Sequence, residues 1–169
     1  MKKILFVRHG KAESASWEVD DLDRTLTDQG KYDTEMVVDE ISKRLELDGQ
    51  NTFLVVSDAK RTCQSAAIYE SKLALPKRVC NIWKNLYGDY TTSEFVEYVA
   101  EKVPNEYDNL IVVGHNPTLS DIVNQMAIEL DCWMSTSSCV CLAFDMSSWS
   151  DLEARSAELY FSLFPSEIR

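Results

Sequence analysis

The chain has 169 residues, 45% hydrophobic and 27% charged, which is ordinary for a globular protein and long enough to bury a real core; it is expected to form one domain, 1–169. A formal net charge of −11 leaves no basic stripe for phosphate backbones and opposes adsorption to anionic bilayers, so neither nucleic acid nor a membrane is expected as partner. Five cysteines (Cys63, Cys80, Cys132, Cys139, Cys141) are an odd number without the spacing of a disulfide framework, and the Cys139-x-Cys141 pair lacks the further ligands of a zinc site.

The opening MKKILFVRHG has four apolar residues before Arg8, against about 7–15 in the apolar core of a secretory signal. No stretch approaches the roughly 20 apolar residues of a membrane span, and a reducing cytoplasm is the expected location. The run ILFV (4–7) reads as a strand. The following loop, KAESASWEVDDLDRTL (11–26), is long for a compact domain, as functional lids and disordered segments are. Thr27 is a candidate N-cap for a helix over 28–47, with Tyr32, Met36, Val37, Ile41 and Leu45 on one stripe. TFLVVS (52–57) reads as a strand, 59–73 as a helix, KRVCNIW (77–83) as a strand and 92–103 as a helix stopped by Pro104. NLIVVG (109–114) is a further strand, and Pro117, a good first helical residue, opens a helix to about residue 130. SCVCLAFDM (138–146) and AELYFSLF (157–164) read as a hairpin-like pair of strands that closes the sheet.

Continuous apolar strands alternating with helices predict a three-layer α/β/α sandwich around a mostly parallel sheet of about six strands. Ligands in such sheets bind beyond the carboxyl ends of the strands. The first strand ends in Arg8-His9-Gly10, the second in SDAKRTCQSA with Arg61 in the first turn of its helix, and the fourth in Gly114-His115-Asn116-Pro117. The chain's two histidines and two arginines thus converge on one edge. That set suits phosphoryl transfer. Guanidinium groups hold phosphate oxygens in pairs, helix N-termini add N–H donors, a neutral histidine nitrogen can attack phosphorus, and a second histidine can donate to the phosphoryl oxygens. The arginines supply the positive charge, so neither metal nor cofactor is expected.

RHG, S-x-x-x-R-x-x-Q and GHNP, in this order, resemble the histidine phosphatase (phosphoglycerate mutase-like) superfamily. DLDRTLTDQG (21–30) and the closing WSDLEARSAELYFSLFP (149–165) resemble its small SixA-type phosphohistidine phosphatases. The resemblance implies that His9 is the nucleophile, that Arg8, Arg61 and His115 form the phosphate pocket, and that Arg24 and Asp21 lie in the loop over it. Alone, Arg61 would read as a surface helix charge, and Arg24 as a partner of Asp20, Asp21 or Asp23.

The departures from the family pattern are informative. Asp58 follows Ser57 where relatives have Pro; it either weakens phosphate affinity or caps the next helix. Larger relatives keep a proton-donating Glu after the third strand or an Asp directly after the second histidine, where this chain has Tyr87 and Asn116. Expelling an alkoxide needs a proton, whereas an imidazole leaving group near its pKa needs less help, so the site is matched to P–N substrates. Asp89 and Glu13 are the other acids nearby.

Trp149 and Tyr87 are expected in the core, and the acidic run EVDDLD (18–23) on a solvated loop that would favour partners with a basic surface. The function expected is removal of phosphoryl groups from phosphohistidine on a signalling protein, such as a histidine-phosphotransfer domain, by a monomer or weak dimer. The alternatives are a small-molecule phosphomonoesterase of the same fold and a non-catalytic phosphoprotein-binding module.

Overall fold

The computed structural model describes residues 1–76 and 80–169. Six strands form one sheet in the order β3-β2-β4-β1-β5-β6: β1 (Lys2–Arg8), β2 (Thr52–Val56), β3 (Cys80–Ile82), β4 (Asn109–Gly114), β5 (Cys139–Phe144) and β6 (Ala157–Leu163). β3, β2, β4 and β1 are parallel; β5 runs antiparallel between β1 and β6, so the last two strands pair as expected. Of the expected strand over 77–83, residues 77–79 lie outside the described residues.

The strands read as continuous apolar runs because both faces of the sheet are covered. Ile4, Phe6, Val55, Leu110 and Val112 face Phe95 and Val99 of α3 (Thr92–Lys102) and Leu119, Ile122 and Val123 of α4 (Thr118–Met126). Leu5, Val7, Leu54, Ile111 and Val113 face Val37, Val38 and Ile41 of α1 (Asp28–Ser42) and Ala66 and Tyr69 of α2 (Lys60–Lys72). This alternation along each strand builds the three layers. A short C-terminal helix, α5 (Pro165–Ile168), packs near α1. Cys139 and Cys141 share a face of β5 and are fully buried, as small core hydrophobes. Trp149 is also fully buried, its indole N–H donating to the Tyr107 carbonyl at 2.9 Å.

The helices differ from expectation at their ends. α1 stops at Ser42, where Leu45 and Leu47 were expected to continue it; beyond it, the Asp48 carboxylate accepts the Gln50 and Asn51 N–H groups and turns the chain into β2. Its buried stripe holds Asp33, Thr34, Val37, Val38 and Ile41, while Tyr32 is 58% exposed. α4 ends at Met126 because Ala127 turns extended and bridges Ala157 of β6. Pro117 is the N-cap of α4 and Thr118 its first residue. Ala59, not Asp58, precedes α2, with no side-chain cap. Thr27 caps α1 as expected, and Thr91 with Glu94 forms a capping box at α3.

The long loop 11–26 is pinned at its base, where Ala12 bridges Leu26 and Glu13 N–H donates to the Thr25 carbonyl. Its tip turns at 16–19 and leaves Trp17 94% exposed. The base presses on α1 where only a glycine fits: a Cβ on Gly30 would lie 2.2 Å from the Lys11 carbonyl oxygen. Gly30→Ala is expected to lower stability by about 1–3 kcal/mol, and Tm by several degrees, because backbone must shift to admit the methyl group. Gly114→Ala, whose Cβ would meet Leu119 at an ordinary 3.4 Å, is the control. Thermal unfolding of both variants checks this; equal losses would mean that the Gly30 contact relaxes freely.

Candidate active site

The parallel register sets Arg8 opposite Gly114 and Val56 opposite Val113. The next residues along these strands, His9, Ser57 and His115, therefore emerge side by side at the carboxyl edge. His9 N–H donates to the Gly114 carbonyl at 3.2 Å, and Ser57 N–H to that of Val113 at 3.3 Å. The two imidazole rings lie 5.3 Å apart. They line a cavity of about 400 Å³ with Arg8, Arg24, Arg61 and Lys11. The edge predicted from topology does gather both histidines and both arginines, and Arg24 joins them.

Hydrogen bonding fixes the protonation pattern. His9 Nδ1 is 2.7 Å from the Gly10 carbonyl, which can only accept, so Nδ1 carries the proton and Nε2 the lone pair. Arg61 Nε approaches that lone pair at 3.4 Å. At His115 the order is reversed. The Thr62 hydroxyl spends its one proton on main-chain carbonyls, of which Ala59 is the nearer at 2.7 Å. The Ser57 hydroxyl then donates to Thr62 and accepts from His115 Nε2–H at 2.6 Å. This leaves the lone pair on Nδ1, 3.4 Å from Arg61 Nη2. Burial, with the nearby arginines, pushes His9 down to about 4; burial, with His9 and Arg61, pushes His115 down to about 3. Both rings are neutral near pH 7.

Arg61 is only 5% exposed and is held from behind. Its Nη1 donates to the Asp21 carbonyl at 2.6 Å and its Nη2 to the Asp21 carboxylate at 3.0 Å. The same carboxylate accepts Arg24 Nη1 at 2.9 Å and the Tyr87 hydroxyl at 2.6 Å. Led by the Tyr87 hydrogen bond, these donors lower its pKa well below the usual carboxylate range. The Nε and Nη2 edge of Arg61 is thereby aimed between the two histidines. Arg8 Nη1 donates to the Met134 carbonyl at 3.0 Å, while its buried Nε has no partner among the described residues. A concave site with neutral imidazoles and an inward-turned guanidinium edge suits a tetrahedral oxyanion.

Several motif positions prove to be struts. Gln64, the last residue of S-x-x-x-R-x-x-Q, accepts the Leu26 N–H at 2.7 Å and ties α2 to the loop. Asn116 of GHNP donates to the Met134 carbonyl at 2.7 Å and accepts from the Ser120 N–H and hydroxyl, which hold its amide in place. Tyr87, expected in the core, is 36% exposed; it lines the cavity and stands edge-on to His115. It is exposed because its hydroxyl reaches across to Asp21. Asp58 does not line the cavity; Asp89 does. Glu13 is exposed and off the cavity wall, contributing main-chain bonds to Thr25 and Arg24. Lys11 and Thr136 line the cavity without having been singled out by sequence; adjacency to RHG is the only signal for Lys11, and none marks Thr136. Among the described residues no group of three or more His, Cys, Asp or Glu is placed to hold a metal ion, and no helix is long and apolar enough to cross a membrane.

No curated protein matches this chain. Among solved structures, the protein histidine phosphatase SixA complexed with tungstate superposes with a TM-score of 0.82 over 99% of both chains at 15% identity. A SixA from Nakamurella multipartitia gives 0.80 at 23% identity, covering 97% of this chain and 96% of its own; one from Agrobacterium tumefaciens gives 0.77 at 22%, covering 97% and 98%. At such identities these likenesses show the fold, a phosphoglycerate mutase-like α/β sandwich. The model of the histidine phosphatase superfamily (branch 1) matches residues 4–127, a span that holds Arg8, His9, Arg61 and His115. The chain belongs to that superfamily, a membership that supports phosphatase activity.

Proposed function

We propose that the protein, a single domain over 1–169, removes phosphoryl groups from phosphohistidine on a cytoplasmic signalling protein through a covalent intermediate on His9. The observation that carries this reading is the pairing of a free His9 Nε2 lone pair with Tyr87 and Asn116 side chains that are already engaged elsewhere. The Tyr87 proton is held by Asp21, Asp21 itself stays ionised, and Asn116 is locked by Met134 and Ser120. The fold match to a protein histidine phosphatase complexed with an oxyanion agrees with it.

In this reading the phosphoryl oxygens replace the 3.4 Å contacts of Arg61 with the two histidines and engage Arg8 and Arg24. His9 Nε2 attacks phosphorus; a P–N bond forms as the substrate's P–N bond breaks, and its electron pair leaves on the substrate imidazole, which is readily protonated near neutral pH. Water then attacks phosphorus, and the pair in the P–Nε2 bond returns to His9 as inorganic phosphate departs. His115 faces the phosphoryl group through Nδ1. Since its Nε2–H is given to Ser57, it donates to that group only after taking up a proton, which the incoming anion favours. The charge comes from arginines, and no step calls for a metal ion. One observation favours the alternative, a small-molecule phosphomonoesterase: Asp89 is a carboxyl on the cavity wall.

His9→Ala is expected to abolish turnover while the far-UV circular dichroism stays native, and acid quench of the wild type should trap phosphate on His9. Retained turnover in the variant would remove His9 from the reaction.

Without an enzyme acid, the wild type should favour phosphohistidine over an alkyl phosphomonoester by at least about a hundredfold in kcat/KM, the low end of what one general acid contributes. Tyr87→Glu should narrow that gap and Asp89→Asn should leave it alone. Equal efficiency on both substrate classes, lost in Asp89→Asn, would establish the phosphomonoesterase reading.

The depressed histidines also predict how stability follows pH. Unfolded, each takes up a proton near pH 6.5; folded, each resists until about 4 or about 3. Between these limits the unfolded chain binds more protons, so stability falls as pH drops below about 6.5. His9→Asn removes one such site and should flatten the fall by at least about 1 kcal/mol at pH 4. Urea unfolding from pH 8 to pH 4 reads this out; identical slopes for variant and wild type would show that His9 is not held neutral.

A further inference from the structure

Ser57 and Thr62 do not line the phosphate cavity, yet both are fully buried and bonded to each other behind His115. Thr62 sits in the first turn of α2, where its hydroxyl reaches back to the Ala59 carbonyl at 2.7 Å and the Ser57 carbonyl at 3.1 Å. A hydroxyl has one proton, and both of those partners can only accept. Toward the Ser57 hydroxyl, 2.7 Å away, Thr62 is therefore the acceptor, and the Ser57 proton is committed to it. Ser57 then offers His115 Nε2, at 2.6 Å, only a lone pair. The chain of donors runs from the imidazole to Ser57, to Thr62 and on to main chain, each link fixed by the next. The opposite direction would press the Thr62 oxygen against the Ala59 carbonyl oxygen with no proton between them.

We propose that Ser57, backed by Thr62, is a positioning residue that makes the site take up a phosphoryl anion together with one proton on His115. The inference rests on the cavity being the phosphoryl site and adds how that site is regulated by protons. With its ring proton given to Ser57, neutral His115 turns only the Nδ1 lone pair toward the cavity, 3.4 Å from Arg61 Nη2. An anionic oxygen placed there meets lone pair against lone pair. A proton on Nδ1 converts that repulsion into a charge-assisted hydrogen bond. The empty site does not hold this proton in advance. Burial, His9, Arg61 and Arg8 keep the ring neutral down to about 3, and Asp21 alone among its charged neighbours opposes them. Tyr87 stands edge-on to the ring at 5.4 Å, and Lys11, Arg24 and Asp89 face the same cavity; Asp58 and Cys63, beside the relay, do not line it. The proton thus arrives with the anion. Above the pKa of the free ring and below the value that the anion gives it, affinity falls about tenfold per pH unit as pH rises.

The test is nitrogen NMR of isotope-labelled histidine, with sulfate as the probe because it stays a dianion at every pH used. The chain has two histidines, so His9→Asn assigns the ring signals. Near neutral pH the wild type without sulfate should carry one proton on His115, at Nε2, and saturating sulfate should give a doubly protonated ring. In Ser57→Ala the ring can place its proton on Nδ1, and sulfate should select that neutral form with no second proton. Thr62→Val leaves Ser57 in place but returns its proton, which it can then donate to Nε2, so this variant should behave like Ser57→Ala. Calorimetry in buffers of different ionisation enthalpy counts the protons. His9 Nε2 faces the same anion, so the count is read as a difference: about one proton fewer per sulfate in either variant than in the wild type. A His115 proton on Nδ1 in the wild type without sulfate would overturn the proposal, as would proton uptake unchanged in both variants. Sulfate bound by a singly protonated His115 in the wild type would also overturn it, while leaving the phosphatase reading intact. A cavity that neither binds sulfate nor turns over any phosphoryl substrate would defeat both.

Discussion

The register of the central parallel strands is the constraint on which the rest of the site depends. Arg8 lies opposite Gly114 on β1 and β4, and Val56 opposite Val113 on β2 and β4. A parallel ladder holds its strands rigidly along their length, and the core on both faces allows no slip: a one-residue shift would turn Ile4, Phe6, Leu110 and Val112 to the wrong layer. His9, Ser57 and His115 leave the sheet at one level because the hydrophobic pattern, many ångströms away, permits no other pairing. The chemistry of the edge is thus anchored by the burial of residues that never touch it.

Upon that frame the electrostatics follow a single logic. A buried guanidinium is costly unless it is paired, and Arg61 is paired on its outer side only, by the carbonyl and carboxylate of Asp21. The carboxylate that satisfies Arg61 also gathers Arg24 and Tyr87, so the loop 11–26 is closed over the cavity by polar bonds rather than by apolar packing. The inner edge of Arg61 then faces two imidazoles that burial keeps neutral. Positive charge at the wall, with uncharged nitrogen at the centre, is the distribution that an incoming phosphoryl dianion completes.

The family motifs divide between these two tasks. In D-x-x-R-x-L-T-x-x-G, Asp21 and Arg24 belong to the cavity, whereas Leu26 is buried, Thr27 caps α1 and Gly30 clears the Lys11 carbonyl. In GHNP, His115 faces the cavity and Asn116 braces the Met134 loop. The residues that stand where larger relatives hold an acid have been turned to structure. Asn116 spends its amide on a strut, and Tyr87 spends its hydroxyl on Asp21.

The sequence by itself determined the layers, the strands and the edge at which both histidines and Arg61 meet. Those follow from apolar periodicity and from the rule that strand ends face the ligand, and both are local patterns. It also carried the cap of α1, since Thr27 acts within four residues of itself. It misplaced Tyr87 and the ends of α1 and α4, because each is settled by a partner distant in the chain or beyond the helix. Tyr87 leaves the core for a carboxylate 66 positions away, and α4 yields to a bridge with Ala157. Which nitrogen of each histidine holds the proton was likewise decided only by tertiary structure. The choice at His115 rests on Ser57, 58 positions away in sequence and brought within 2.6 Å by the β2–β4 register. A hydrogen bond depends on tenths of an ångström between groups that only the folded sheet brings together.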